Sequence, residues 1–159
     1  MMSTTQAVQN RHQLHASSVV IGESAVLVRG PSGSGKTRLC LDLIAMGRAA
    51  GFFTRLVGDD RVEISSHHGR ALVRPVPAIA GLVERRGLGL TPVMHEEIGC
   101  VRLVVDFEQG GVERMPEPEM LVTELAGVTL PRLAFETGKG DAALVLSALR
   151  LFNDEPWAS

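Results

Sequence analysis

Residues 30–37 read GPSGSGKT and match G-x-x-x-x-G-K-[ST] at every fixed position. Gly30, Pro31, Ser32, Gly33, Ser34 and Gly35 form a glycine-rich loop. Such a backbone reaches positive φ and brings successive N–H groups against phosphate oxygens. Lys36 offers a slender point charge to the β- and γ-phosphates, and Thr37 offers a hydroxyl ligand for Mg2+. The N-terminus of the helix that follows adds positive dipole at the same point. A loop of this kind specifies a nucleotide without specifying a reaction. Phosphoryl transfer also needs metal support and a group that orients or deprotonates the acceptor.

Asp59 and Asp60 are adjacent carboxylates after an apolar run. One could hold Mg2+, directly or through water, and the other could take the proton of an acceptor hydroxyl; the bland alternative is a solvated acidic turn. His15 stands just before the first apolar strand and by itself reads as a surface residue. His67 and His68 read as turn residues. His95 precedes Glu96 and Glu97 but has no second histidine at helical metal spacing, which argues against a metal site there. Glu84, Arg85 and Arg86 are followed by Gly87 and Gly89. That stretch could bring a carboxylate to metal and guanidinium groups to phosphate on a backbone able to approach a ligand closely; an exposed turn is the alternative.

These residues need elements to position them. Residues 18–21 (SVVI) and 25–29 (AVLVR) are short runs rich in β-branched residues, read as two strands joined by a tight turn. From Lys36 the spacing becomes helical, with Leu39, Leu43 and Met46 on one face and Gly47 as the expected stop. Residues 52–57 read as a strand ending before Asp59, and residues 61–65 as a short strand. Residues 71–92 carry several Pro and Gly and read as loop with short elements. Residues 101–106 (VRLVVD) form a convincing strand, and residues 110–119 a loop. Residues 121–135 hold one or two strands expected to break at Gly127 and Pro131. Asp141 can cap a last helix with Leu144, Val145, Ala148, Leu149 and Phe152 on one face. The expected class is α/β: a single domain whose sheet carries the phosphate loop between flanking helices, over residues 14–152, with a flexible N-terminus at 1–13 and a flexible tail at 153–159.

Composition bounds the rest. The chain has 159 residues, 45% apolar and 21% charged, which fits one globular domain. Lys and Arg total 16 against 18 Asp and Glu, for a net charge of -2. Without a basic excess there is no electrostatic sign of a nucleic-acid partner. Lys36 and Lys139 are the only lysines, against 14 arginines. With five Phe, one Trp and no Tyr, the core must be aliphatic. Cys40 and Cys100 form no C-x-x-C pair and read as reduced, buried thiols of a cytoplasmic protein. No apolar stretch approaches the roughly 18 residues of a membrane span, and the first residues lack the apolar region of a secretory signal.

Taken together these pieces resemble the catalytic domain of the HPr kinase/phosphorylase family. The shared order is a histidine (His15), two strands, GPSGSGKT, a helix, an apolar strand ending in Asp59, Asp60, Arg61 and Val62, and then Glu84, Arg85, Arg86, Gly87, Leu88 and Gly89. The resemblance is specific from residue 14 to about residue 106 and points to the short members that consist of the catalytic domain. It implies an ATP- and Mg2+-dependent kinase that phosphorylates a serine of the HPr phosphocarrier of a phosphotransferase system. It also implies a phosphorylase in which phosphate attacks phosphoserine to give pyrophosphate. By the same resemblance Asp60 exchanges the serine proton, Lys36 stabilises the transferring phosphoryl group and His15 lies beside the loop. Thr37, Glu84 and Asp59 would serve Mg2+, Arg86, Gly87 and Gly89 would form a catalytic loop, and Arg114 would be a catalytic arginine. Members are commonly hexamers, which implies a homo-oligomer. Arg85 stands where the family motif is usually aliphatic, and residues 137–140 are at most a remnant of the family's C-terminal Arg- and Gly-rich segment. The rival readings from the residues alone are a small-metabolite kinase and a non-catalytic nucleotide sensor.

Overall fold

The computed structural model describes residues 11–154. The expected flexible segments at the two ends lie mostly outside them. Along the described chain come β1 (His12–Leu14), β2 (Ala16–Ile21), β3 (Ser24–Arg29), α1 (Lys36–Ala49), β4 (Thr54–Gly58), β5 (Val62–His67) and β6 (Arg70–Pro75). A hairpin of β7 (Leu82–Arg85) and β8 (Gly89–Pro92) follows, then β9 (Gly99–Glu108), β10 (Val122–Leu125), β11 (Val128–Glu136) and α2 (Ala142–Asp154).

β9 is the hub. Its first residues pair antiparallel with β6, its middle pairs parallel with β3, and its last five residues pair parallel with β11. The sheet runs β1-β5-β6-β9-β3-β2-β4, with β11 and β10 branching from β9. A sheet that exchanges partners along one long strand must curl. Side chains alternate across it as a strand requires. Val26 and Val28 of β3 face the helices with Leu103, Val105, Leu39, Leu43 and Val145. Ala25 and Leu27 face the inside of the curl with Val57, Val62, Ile64 and Val73. The core is aliphatic as expected; its buried aromatics are Phe107 and Phe135.

Five expectations change in detail. Gly47 does not stop α1, which continues to Ala49. The glycine is there for space: a Cβ would lie 2.4 Å from Thr54 Cγ2. Phe52 and Phe53 lie outside β4 and are partly exposed, because β4 starts only at Thr54, where its pairing with Ile21 begins. Pro131 sits inside β11 and does not break it, because there the strand passes from β10 to β9: Pro131 faces Val122, and Arg132 opens the ladder with β9. In α2, Asp141 caps as expected by accepting the Leu144 N–H at 3.1 Å. Leu144 itself faces outward, while Ala142 joins Val145, Ala148 and Leu149 in the core. At the N-terminal boundary, His12 and Gln13 already belong to β1, paired with β5.

Register brings the chemistry to one edge. Ala16 of β2 pairs with Arg29 of β3, so His15 comes level with the start of the phosphate loop. Ser18 pairs with Gly58 of β4, so Asp59 and Asp60 emerge at that same edge. The C-terminal ends of β3, β4, β9 and β11 thus converge, the place where open α/β sheets bind ligands.

Candidate nucleotide and phosphoryl-transfer site

The loop after β3 folds by its glycines. Gly30 has φ 154°, and a Cβ there would lie 2.8 Å from both Phe107 Cβ and Ser34 Oγ. Gly35 has φ 111° and is the residue from which α1 starts. Side chains at these positions would be strained or would collide. Lys36 is buried, and its ammonium donates to the carbonyls of Gly30 at 2.8 Å and Pro31 at 3.0 Å. The charge is therefore held across the mouth of the loop.

The loop is anchored on both sides. Arg29, the residue before Gly30, grips Asp106 with two nitrogens at 2.7 and 2.9 Å. Arg132 of β11 donates to the other side of the same carboxylate at 2.6 Å and also pairs with Glu108. Burial acts to raise the Asp106 pKa, but the hydrogen bonds and charges of Arg29 and Arg132 outweigh it and hold the carboxyl below its ordinary value. Residues 137–140 close the other side. The Gly138 N–H donates to the Ser34 carbonyl at 2.8 Å, and a Cβ on Gly140 would meet the Phe107 ring at 2.9 Å. The segment read as a weak remnant is thus a packing wall of the loop. The side chain of Lys139 is exposed and pairs with Glu136 at 3.0 Å.

Asp59 and Asp60 occupy the bend between β4 and β5 and face different partners. Asp59 is buried, and its Oδ1 accepts from Thr37 Oγ1 at 2.8 Å and Ser17 Oγ at 2.9 Å. Its Oδ2 has no partner among the described residues. Asp60 is exposed and meets the His15 ring, with Nε2 2.6 Å from Oδ1. As the carboxylate can only accept, Nε2 carries the proton. Two adjacent acids thereby acquire distinct environments, one locked against the first turn of α1 and one presented to solvent beside an imidazole.

The expected site residues divide accordingly. The loop residues Gly30 to Thr37, with His15, Asp59 and Asp60, come together at one sheet edge. Glu84, Arg86, Gly87 and Gly89 lie in the β7–β8 hairpin, exposed and outside the main sheet. No hydrogen bond or ion pair among the described residues joins Glu84 to Thr37 or Asp59. The Val93 N–H to Gly81 carbonyl bond at 2.8 Å closes the base of the hairpin, which is attached through its buried Val83 and through the Glu96 N–H to Leu56 carbonyl bond at 2.8 Å. Arg114 is exposed in the loop after β9 and makes no ion pair among the described residues. Sequence reasoning missed Ser17. One signal was available: a serine within a core strand must find partners.

The donors fit a small hard cation. Thr37 Oγ1 spends its hydrogen on Asp59 and keeps lone pairs for a ligand, while Asp59 Oδ2 is free to hold a metal-bound water. No three His, Cys, Asp or Glu side chains converge among the described residues. A cation here would therefore share its coordination with phosphate oxygens, as Mg2+ commonly does. No helix among the described residues is long and apolar enough to cross a membrane.

Comparison with known proteins places this geometry in context. The family model described as HPr Serine kinase C-terminal domain matches residues 6–106. An HPr kinase/phosphorylase of Levilactobacillus brevis is 36% identical over 100 residues, which is 62% of this chain and 30% of that protein. One of Enterococcus faecalis is 30% identical over 149 residues, 85% of this chain and 46% of that protein. The chain thus spans less than half the length of these curated relatives. Among solved structures, the Hpr(Ser) kinase/phosphatase from Coxiella burnetii aligns with a TM-score of 0.69 at 21% identity, covering 89% of this chain and 90% of that one. That likeness establishes the shared fold.

Proposed function

The chain belongs to the family of HPr serine kinase C-terminal domains, and from that premise we propose that it is a Mg2+- and ATP-dependent phosphotransferase acting on a serine of an HPr-type phosphocarrier protein. The observation that carries this reading is the division of labour between Asp59 and Asp60. One carboxylate is tied to the Thr37 hydroxyl and the other is offered to solvent beside His15.

In this reading the loop amides and Lys36 cradle the β- and γ-phosphates. Thr37 and Asp59 would hold Mg2+, which would supply neutralisation of the charge developing on the phosphate oxygens. Lys36 moves from the Gly30 and Pro31 carbonyls to the transferring phosphoryl group, as its flexible stem permits. Asp60, with His15 fixing one of its oxygens, accepts the proton of the serine hydroxyl on the other. An alkyl hydroxyl is a very weak acid, so that proton moves only as the oxygen–phosphorus bond forms. Most of the acceleration then comes from placement and charge neutralisation. In reverse, a phosphate oxygen attacks the phosphorus of phosphoserine, the bond from that phosphorus to the serine oxygen breaks as pyrophosphate forms, and Asp60, entering protonated, gives its proton to the departing serine oxygen. Glu84 would serve the metal, and Arg86, Gly87 and Gly89 the phosphates, from the β7–β8 hairpin. Arg114 would act from the loop after β9.

The test is incubation of the purified protein with Mg2+, ATP and HPr, with mass spectrometry to locate the modified residue. Phosphoserine on HPr, lost in Asp60→Asn and Lys36→Ala, is the expected result. Absence of phosphoserine with the wild type overturns the reading. Transfer to a small hydroxyl compound in its place establishes a metabolite kinase, and nucleotide binding without turnover establishes a sensor. Pyrophosphate release from phosphorylated HPr and phosphate reads the reverse direction.

A further inference from the structure

Ser17 is fully buried at the start of β2, and its hydroxyl has both its roles filled by neighbouring acids. It donates to Asp59 Oδ1 at 2.9 Å and accepts the backbone N–H of Asp60 at 3.0 Å. The same Asp59 oxygen receives the Thr37 hydroxyl at 2.8 Å. One serine oxygen therefore links the carboxylate placed for the metal to the backbone of the carboxylate placed for the proton.

The Asp60 backbone needs such a hold. Its φ is 68°, a left-handed value rare for a residue with a side chain. The Arg61 N–H bonds back to the Asp59 carbonyl at 2.8 Å, so Asp60 is the centre of a three-residue turn of the uncommon, strained kind. Strain of this sort persists only where surroundings over-determine it. Here the Ser17 hydroxyl fixes the N–H of Asp60, and His15, in the bend just before β2, fixes its carboxylate.

We propose that Ser17 is a positioning residue: its hydroxyl sets Asp59 and Asp60 in register, so that the metal-side carboxylate and the proton-accepting carboxylate are placed by a single group. This rests on the nucleotide and metal roles proposed above, and deepens them. Ser17 touches no substrate. It acts through the two acids.

The test separates hydroxyl from volume. Ser17→Cys keeps the size and loses a strong donor, Ser17→Thr keeps the hydroxyl and adds a methyl, and Ser17→Ala loses the hydroxyl. Each is measured by thermal unfolding, by the Mg2+ concentration needed to bind a fluorescent ATP analogue, and by kcat and KM for phosphoserine formation. Expected for Ala and Cys is a rise of about tenfold in the Mg2+ midpoint and a fall of about 10–100-fold in kcat, with KM for HPr little changed. Thr stays near wild type. If Cys matches wild type and Thr does not, the site requires volume and the proposal fails. Should Ser17→Ala unfold, a cycle of Ser17→Cys with Asp59→Asn decides: Ser17→Cys adds little to Asp59→Asn if it acts through that acid, and full additivity overturns the assignment. A wild type that shows Mg2+-dependent nucleotide binding without phosphoserine overturns the kinase reading alone. A Mg2+ midpoint unchanged in Ser17→Ala and Ser17→Cys overturns the Ser17 assignment alone.

Discussion

His15 and Asp60 are 45 residues apart in the chain, and His15 Nε2 lies 2.6 Å from Asp60 Oδ1. The pair is exposed, so it is open to an incoming hydroxyl and is weak as a stabilising contact. Its consequence is directional: one carboxylate oxygen is occupied and the other is left for chemistry.

His15→Ala is expected to lower kcat for phosphoserine formation at least tenfold, short of the roughly 10²–10⁴-fold that a general base itself contributes. Binding of a fluorescent ATP analogue should be unchanged, because His15 bonds to Asp60 and to no group of the loop. Loss of nucleotide affinity would place His15 on the phosphates instead.

Gly47→Ala should reverse the usual sign. In an ordinary helix interior the change gains about 1 kcal/mol. Here the new Cβ would lie 2.4 Å from Thr54 Cγ2, and overpacking should destabilise by about 1–3 kcal/mol in urea unfolding. Thr54→Ser on that background removes the colliding methyl, keeps the hydroxyl that donates to Ile44 O, and should restore stability.

Asp106→Asn should destabilise by about 2–3 kcal/mol at pH 7, since charge-assisted bonds from Arg29 and Arg132 are lost. The folded carboxyl titrates below its ordinary value of 3.8, so the unfolded chain takes up the proton more readily. The contribution of Asp106 is therefore complete above that pH and disappears as pH falls through the folded value. The gap between wild type and variant should narrow under acid; a gap independent of pH would show that shape, not charge, matters there.

Cys100 should react with iodoacetamide well before Cys40 in the folded protein. Cys40 is buried beneath the phosphate loop, and burial, aided by the Asp59 charge and opposed by Lys36, pushes its thiol far up. Cys100 is partly exposed. Peptide mass spectrometry of briefly labelled protein reads the order, and equal labelling would show that the base of α1 opens readily.

The loop was legible at residue level because its function is local: eight consecutive residues carry the glycines, the lysine and the hydroxyl, and Gly35 and Gly30 hold the positive φ values that the motif demands. The strand pair before it, α1 and the last helix followed from patterning for the same reason. Boundaries failed where a distant neighbour decided. Thr54 makes Gly47 a spacer and not a stop, and β9 accepts β11 just after Pro131. Glu84 lies in a hairpin that pairs in its own two-stranded sheet, and no local spacing in the sequence says how that hairpin sits against the loop.

By itself the sequence determined that a glycine-rich GPSGSGKT loop opens a helix in an α/β domain, that the core is aliphatic, and that a histidine before the loop and paired aspartates and a Glu-Arg-Arg-Gly stretch after it stand in a recognisable order. Only the tertiary structure decided which of the paired aspartates faces the Thr37 hydroxyl and which faces His15, and that Ser17 joins them. The physical reason is strand register. Side chains alternate at period two, so a shift of one residue in the pairing of Ser18 with Gly58 would exchange the faces of β4 and the acids that follow it. Burial fixes the pairing as far as Val19 with Leu56, and a one-residue irregularity between Val19 and Ser18 then places Gly58 opposite Ser18.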